Sequence, residues 1–466
     1  VAYAPALSFS SSGGTKMNMR GFGWAVAVAL GGAAAVLGAD GDLDGSFGVS
    51  GKVLSSCSGP CSAQVVIPEP GGGAFVAGRI SLANTWTVTK LSAAGAISLD
   101  WVAGFDPFDF AAEGAADTGS VLALGVDSSS RLLMAGLAEV AGNEVPAVAR
   151  LLPTGELDDL FDFNGRRMVA VPGGWSAVEI NAARILPDGG SVFGGRCDGC
   201  VALGLTSGFL VKLLPSGDPD PSFSDDGWLT FNSSWLVDPS IADLVVAESG
   251  AITAVFDGSV FLAGFGNEVM RVTAAGVLDP GFGGGDGFGD QLYYHPNVAQ
   301  ALAVDPDTGA IVVALSAAGS TLAGGSLVGL LPDGALDVDF GTAGVLDLDI
   351  EEGSRIDAVA FQSDGRVVAA GTIDANGSQT GGFLLARVAD GALDSSYDGN
   401  GLKRVEFDRT ADALDTAHAL TLSGGRLMVV GSASNSLDFD FALVRTKNAS
   451  IFADGFERGT AGAWGG

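Results

Sequence analysis

The sequence predicts an all-β fold: a seven-bladed β-propeller of four-stranded blades, its ring closed by pairing of the N-terminal strand with the last blade. Three observations predict it. A short acidic anchor returns seven times at near-constant spacing, each interval repeats the same series of short strands, and the first and last units are complementary parts of one blade.

The anchor reads LDGSFG at Leu43, SLDWVAGF at Ser98, LDDLF at Leu157, PDPSF at Pro219, LDPGFG at Leu278, LDVDFG at Leu336 and LDSSY at Leu393. Its aspartates, Asp44, Asp100, Asp158, Asp220, Asp279, Asp337 and Asp394, stand 56 to 62 residues apart. A strand follows each anchor, as in GKVLSS from Gly51. Next comes a hairpin, clearest in DAVAFQSDGRVVAAG from Asp357, where two apolar runs flank an Asp364-Gly365 turn suited to positive φ. A further strand, such as FLLARV from Phe383, leads to the next anchor. Glycine contributes 72 of 466 residues and interrupts almost every stretch long enough for three helical turns.

The ends supply the closure. The strand at Gly51 belongs to the outer edge of a blade, and the last unit stops one strand short after DFALVRTKN. Pairing the two leaves no open edge.

A second regularity lies in the strand before each anchor. Lys90, Arg150, Lys212, Arg271, Arg387 and Arg445 share one slot, and Gly329 fills it in the remaining unit. Recurrence in nearly every unit marks these residues and the anchor aspartates as scaffold, braced by charge-assisted hydrogen bonds.

With 54 acidic against 23 basic residues and a net charge of −31, the chain repels nucleic acid and anionic membrane surfaces. From Met17 a short basic segment with Arg20 precedes an apolar stretch, Phe22 to Leu37, and small residues ending at Ala39. This is the layout of a secretory signal, with residues 1–16 outside it and Met17 or Met19 as the expected start. The expected organisation is therefore a signal region (1–39), the propeller (40–448) and a tail (449–466). The expected location is periplasmic, cell-surface or secreted, with no membrane span once the signal is removed. Cys57 with Cys61 and Cys197 with Cys200 form two close pairs, which an oxidising compartment would close as local disulfides.

Propeller loops alternate between two faces. Here the hairpin turns and the turns before the anchors are short and uniform, whereas the links on the other face vary in length and content. Binding residues sit on such variable loops. Trp101, Phe105, Phe108, Trp175, Trp228, Trp235, Tyr293, Tyr294 and His295 fall there, as rings that stack on a glycan or grip a peptide, or as filler between blades.

Catalytic patterns are scarce. The two histidines, His295 and His418, limit serine triads and exclude a histidine-rich metal site. Asp40-Gly-Asp42-Leu-Asp44-Gly45 mimics half of a calcium loop, but Gly51 stands where the bidentate glutamate belongs. No cofactor or metal is expected. Asp106, Asp109, Glu113, Asp238 and Asp290 on the variable face leave a glycosidase-type carboxylate pair open.

The pattern LDxxFGxxGxV, then a DG hairpin, then FxxxRxxxDG, resembles the delta-60 repeat family of bacterial proteins. The unit from Leu336 to Asp394 is the nearest to it, the likeness spans Leu43 to Asn448, and Ile97–Glu156 and Pro219–Val277 depart most. The tail IFADGFERGTAGAW is similar to DGFExGxxxxW endings on exported proteins of some gammaproteobacteria. The resemblance implies an exported, propeller-like protein and no defined activity. The expected function is non-enzymatic binding of a glycan or protein, with a carbohydrate-active enzyme and a structural envelope component as alternatives.

Overall fold

The computed structural model describes residues 40–447, apart from 58, 70, 82–84, 99–100, 102–109, 117–118, 202–205, 261–263, 293–296, 318–322, 353, 374–380, 408–414 and 436–437. The expected signal region, the tail, and Asp100, Phe105, Phe108, Tyr293, Tyr294 and His295 lie outside the described residues, as do Asp106 and Asp109.

Seven antiparallel sheets follow one another along the chain, and together they form a seven-bladed β-propeller. Blade 1 comprises Cys61–Pro68, Ala74–Ile80 and Thr85–Leu91; blade 2, Val121–Val126, Leu132–Val140, Asn143–Leu151 and Arg166–Met168. Blade 3 comprises Ser176–Ile185, Ser191–Asp198, Thr206–Leu213 and Trp228–Phe231; blade 4, Val237–Val246, Ile252–Val260 and Gly264–Val272. Blade 5 comprises Asn297–Val304, Ile311–Ala317, Ala323–Leu330 and Val345–Glu352; blade 6, Arg355–Phe361, Val367–Ile373, Gly382–Ala389 and Leu402–Val405. Blade 7 takes Asp415–Ser423, Arg426–Asn435 and Asp438–Lys447 from the end of the chain and Lys52–Ser55 from its beginning, with Lys52 opposite Val444 and Ser55 opposite Phe441. The helical content of the described residues is two 3₁₀ turns, Ala111–Glu113 and Gly283–Gly285.

Two blades show three described strands. In blade 4 the outer strand shrinks to isolated bridges of Met270 with Phe288 and Asn267 with Leu292. The run GGGDGFGD that should form it has too many glycines to hold a continuous ladder. In blade 1 the corresponding segment overlaps residues outside the described set.

The recurrent residues explain why each unit folds alike. The anchor aspartate N–H donates to the carbonyl of the basic residue, as from Asp158 to Arg150 and from Asp394 to Arg387, each at 2.9 Å. The basic residue's own N–H donates to the glycine closing the anchor, Gly165 or Gly401. That glycine must be one: Gly401 has φ +86°, and a Cβ there would lie 2.9 Å from Leu393 Cβ. Side chains then lock the corner. Asp158, Asp279, Asp394 and Asp44 accept from Arg150, Arg271, Arg387 and Arg445 at 2.8, 2.6, 2.8 and 2.9 Å, and Lys212 pairs with Asp220 at 2.8 Å. The same guanidinium groups lie 4.2–5.0 Å from the centroids of Phe161, Phe282, Tyr397 and Phe47, a cation–π contact beneath the ion pair. Lys90 pairs with Glu69 at 2.5 Å.

Apolar side chains fill the space between blades. Phe75, Trp86 and Val88 of blade 1 meet Val121, Met134 and Ala147 of blade 2, and Val430, Phe441 and Leu443 of blade 7 meet Ala63, Val66 and Val76 of blade 1. The ring is therefore sealed by the same kind of core that joins its other blades.

Candidate functional site

Each innermost strand carries a β-bulge at the same place. In blade 6, Ile356 faces Gly371 and Ala358 faces Ala370, so Asp357 is the extra residue. The same count leaves Gln64, Leu122, Asn181, Ala242, Gln300 and His418 as the extra residues of blades 1 to 5 and 7. A bulge re-aims its residue out of the ladder. All seven line one cavity of about 370 Å³ to which every innermost strand contributes. This is the central channel. Because the bulges lie in the N-terminal half or middle of their strands, the ring of side chains sits toward the variable-loop end.

Five blades place a glycine opposite the bulge, packed tightly against the innermost strand. Gly78, Gly136, Gly195, Gly371 and Gly431 face the residue before the bulge, and a Cβ there would come within 1.8–2.2 Å of an innermost-strand carbonyl oxygen. Phe256 and Leu315 occupy the slot in blades 4 and 5. The residue before the bulge also ties neighbouring blades. Its N–H donates to a side chain of the preceding blade: Ile180 to Glu144, Ala299 to Asn267, Ile356 to Ser316 and Ala417 to Thr372, at 2.6 to 3.3 Å.

The channel lining is polar and nearly neutral. Gln64 donates to Ser120 Oγ at 3.1 Å, and its Oε1 finds no donor among the described residues. Asn181 donates to Ser240 Oγ and to the Ile241 carbonyl at 3.0 and 3.1 Å. Arg184 pairs with Asp243 at 2.7 Å, and Asp243 also accepts from the Leu302 N–H at 2.9 Å. Burial pushes the Asp357 carboxyl up to about 6 against the opposing pull of Arg355, whose Nε lies 3.0 Å from it. Burial, with Arg355 adding repulsion, pushes His418 down to about 4, so its ring is neutral at physiological pH; its Nε2 lies 3.2 Å from Thr416 Oγ1.

These two shifts oppose each other in stability. Asp357, raised from 3.8, contributes stability that is present below about pH 4 and lost as pH rises through about 6. His418, depressed from 6.5, contributes stability that is present above about 6.5 and lost as pH falls through about 4. Asp357→Asn is therefore expected to leave a fold that gains stability from pH 4 to 6.5. His418→Gln is expected to leave one that loses it from pH 4 to 6. Each slope amounts to roughly 1–2 kcal/mol after screening by channel water, read from urea unfolding across pH. Parallel pH profiles for the two variants would refute this assignment.

The aromatic residues singled out in the sequence are placed differently from one another. Trp101 is 5% exposed and packs on Phe75 at 5.4 Å. Trp228, 9% exposed, meets Trp175 edge-on at 5.1 Å, and Trp175 also packs on Phe209. Trp235 is half-buried in the core between blades 3 and 4. These four rings pack into the cores within and between blades. The channel residues were missed in the sequence because a bulge has no composition signature; the glycine that recurs in the second strand of five blades, facing the bulge, was the available sign.

Of the carboxylates expected on the variable face, Glu113 accepts from Asn164 and pairs with Arg166 at 3.1 Å. Asp290 lies instead against the uniform turn before the blade 5 anchor, its N–H donating to the Gly334 carbonyl and its carboxylate accepting from the Leu336 N–H at 2.8 Å. Cys57 is bonded to Cys61 and Cys197 to Cys200, each bridge closing a tight loop beside an inner or second strand of the variable face.

A sequence family described as "Domain of unknown function (DUF5122) beta-propeller" matches residues 128–161 and 362–397. Both segments are the same piece of a blade. Each runs from the hairpin turn through the second and third strands to the anchor of blades 2 and 6, where two arginines reach the anchor aspartate: Arg131 and Arg150 for Asp158, Arg366 and Arg387 for Asp394. No curated protein matches the sequence. Solved structures of similar shape include the polysaccharide lyase Uly1 (TM-score 0.43, 9% identity, 85% of this chain and 89% of that one). The α-L-arabinofuranosidase Arb93A from Fusarium graminearum aligns with TM-score 0.40 at 10% identity over 70% of this chain and 93% of that one. Trypanosoma rangeli sialidase aligns with TM-score 0.38 at 7% identity over 70% and 54%. Likenesses this distant carry no argument about activity.

Proposed function

We propose that this chain is an exported, delta-60-type binding propeller that takes a neutral, hydroxyl-rich ligand, such as the end of a glycan, at the variable-loop mouth of its central channel. The observation that carries the reading is the convergence of Gln64, Asn181, Gln300, Asp357 and His418 on one cavity of about 370 Å³. Amides and a neutral imidazole both donate and accept hydrogen bonds, and the Asp357 carboxylate accepts them, a mixture that suits sugar hydroxyls. The signal-like segment before residue 40 and the two disulfides support export.

A second reading, a carbohydrate-active enzyme, is favoured by Asp357 alone, because a half-buried carboxyl raised to about 6 in a cavity suits a general acid. One experiment separates the two. The secreted protein, its N-terminus expected near residue 40, is screened on a glycan array, and hits are titrated against Gln64→Ala and Gln300→Ala. The expected loss is about tenfold in affinity per deleted amide with no turnover of the bound glycan. Unchanged binding would remove the channel site, and turnover abolished by Asp357→Asn would establish the enzyme reading.

A further inference from the structure

On the opposite, uniform-turn face, blade 5 departs from its neighbours. In five blades the anchor aspartate is described together with its own cation: Asp44 with Arg445, Asp158 with Arg150, Asp220 with Lys212, Asp279 with Arg271 and Asp394 with Arg387. In blade 5 that slot is Gly329, opposite Val312 as Arg387 is opposite Val368. Arg366 and Arg131, at the hairpin turns of blades 6 and 2, bring a second cation to the anchor aspartate. In blade 5 the equivalent position is Ala310. Both cation slots are thus emptied by small residues, and among the described residues no Lys or Arg reaches Asp337.

The space does not collapse. A cavity of about 370 Å³ stands there, lined by Ala310, Gly329, Asp337, Asp339, Phe340 and Asp390. The aromatic ring that the arginine covers elsewhere is still present, and Phe340 leans against Gly329, where a Cβ would lie 2.5 Å from its Cγ. Phe340 is left 8% exposed, whereas Phe282 beneath Arg271 is 0%. The anchor backbone is unchanged, with Asp337 N–H on the Gly329 carbonyl at 3.0 Å and Asp337 Oδ1 accepting from Asp339 N–H at 3.1 Å. Carboxylate and anchor backbone therefore keep the arrangement that holds an internal guanidinium in the other blades, and the ring remains beside them, shifted against Gly329.

We propose that this cavity binds a guanidinium group from outside the chain, carried by an arginine side chain of a polypeptide. The guanidinium takes the place of the missing internal arginine, paired with Asp337 and lying against Phe340. Asp339 and Asp390 at the rim repel the carboxylate of free arginine and leave a peptide-borne arginine as the better fit. This site is independent of the channel and lies at the other end of the blades.

The test titrates the full chain with methylguanidinium and with methylurea, its neutral near-isostere, at millimolar concentrations by ligand-observed NMR. Binding of the cation but not of the urea is expected. Asp337→Asn should weaken it at least about tenfold, the effect of losing a charged hydrogen-bond partner. Ala310→Arg supplies an internal guanidinium as Arg366 does and should abolish binding. N-acetyl-argininamide should bind more tightly than free arginine. Equal binding of methylguanidinium and methylurea, or undiminished binding by both variants, would overturn the site. Equal binding of the two arginine compounds would overturn its assignment to polypeptide arginine.

Discussion

Asp44→Ala is expected to cost about 3–5 kcal/mol of folding stability. The Arg445–Asp44 pair joins the two ends of the chain at 2.9 Å with both side chains 4% exposed or less. Removing the carboxylate leaves a buried guanidinium with only the Ala93 and Gly72 carbonyls and Ser46 for partners. The damage extends beyond one bond. The Asp44 N–H also donates to the Arg445 carbonyl, and the same anchor leads into Lys52–Ser55, the strand that closes blade 7. Burial pushes the Asp44 carboxyl up, yet the hydrogen bonds from Ser46 with Arg445 and Arg426 outweigh it and hold its pKa below the usual value. The contribution of this group is therefore present at neutral pH and lost only in acid, as pH falls below about 4. Urea unfolding at pH 7, with Asp218→Ala on the exposed rim as control, measures the cost. A loss under 1 kcal/mol would mean that the ring does not depend on this closure.

Gly431→Ala should cost about 2–4 kcal/mol, although it adds a single methyl group. A Cβ at this position would lie 1.8 Å from the Thr416 carbonyl oxygen, which belongs to the innermost strand beside the bulged His418. Two responses are open to the fold. Either the bulge opens and His418 leaves its place in the channel, or the second strand backs away from its neighbour and loosens the core between blades 6 and 7. Gly173→Ala, where nothing lies within 4 Å, is the matching control and is expected to change stability by less than about 0.5 kcal/mol. A shift of the His418 titration toward its ordinary value by NMR would distinguish bulge opening from blade separation. A variant as stable as the parent would show that the carbonyl and methyl group are accommodated without disturbing the bulge.

The repeat unit was legible in the sequence because its anchor is local. The aspartate, ring and glycines of LDxxFGxxG bond to one another and to a basic residue seven or eight positions earlier, so spacing alone displays the corner. The uniform turns were legible for the same reason. Blade 4 was less so, since GGGDGFGD carries the anchor but lacks the side chains to sustain an outer strand.

By itself the sequence determined seven similar units, an all-β fold, and the completion of the last blade by the first strand, because each follows from residues that repeat at fixed intervals or from a strand missing at one end and present at the other. Tertiary structure alone decided what the units surround. Gln64, Asn181, Gln300, Asp357 and His418 follow no common motif and lie about one unit apart or more along the chain, and only closure of the ring brings them to one cavity. The blade 5 pocket was decided the same way. The repeat already marked Gly329 as the exception in its cation slot, but only the neighbouring blades show that Ala310 empties a second cation position and that a cavity remains between them. A pattern of side chains records what each unit does within itself; the spaces between units exist only once they are assembled.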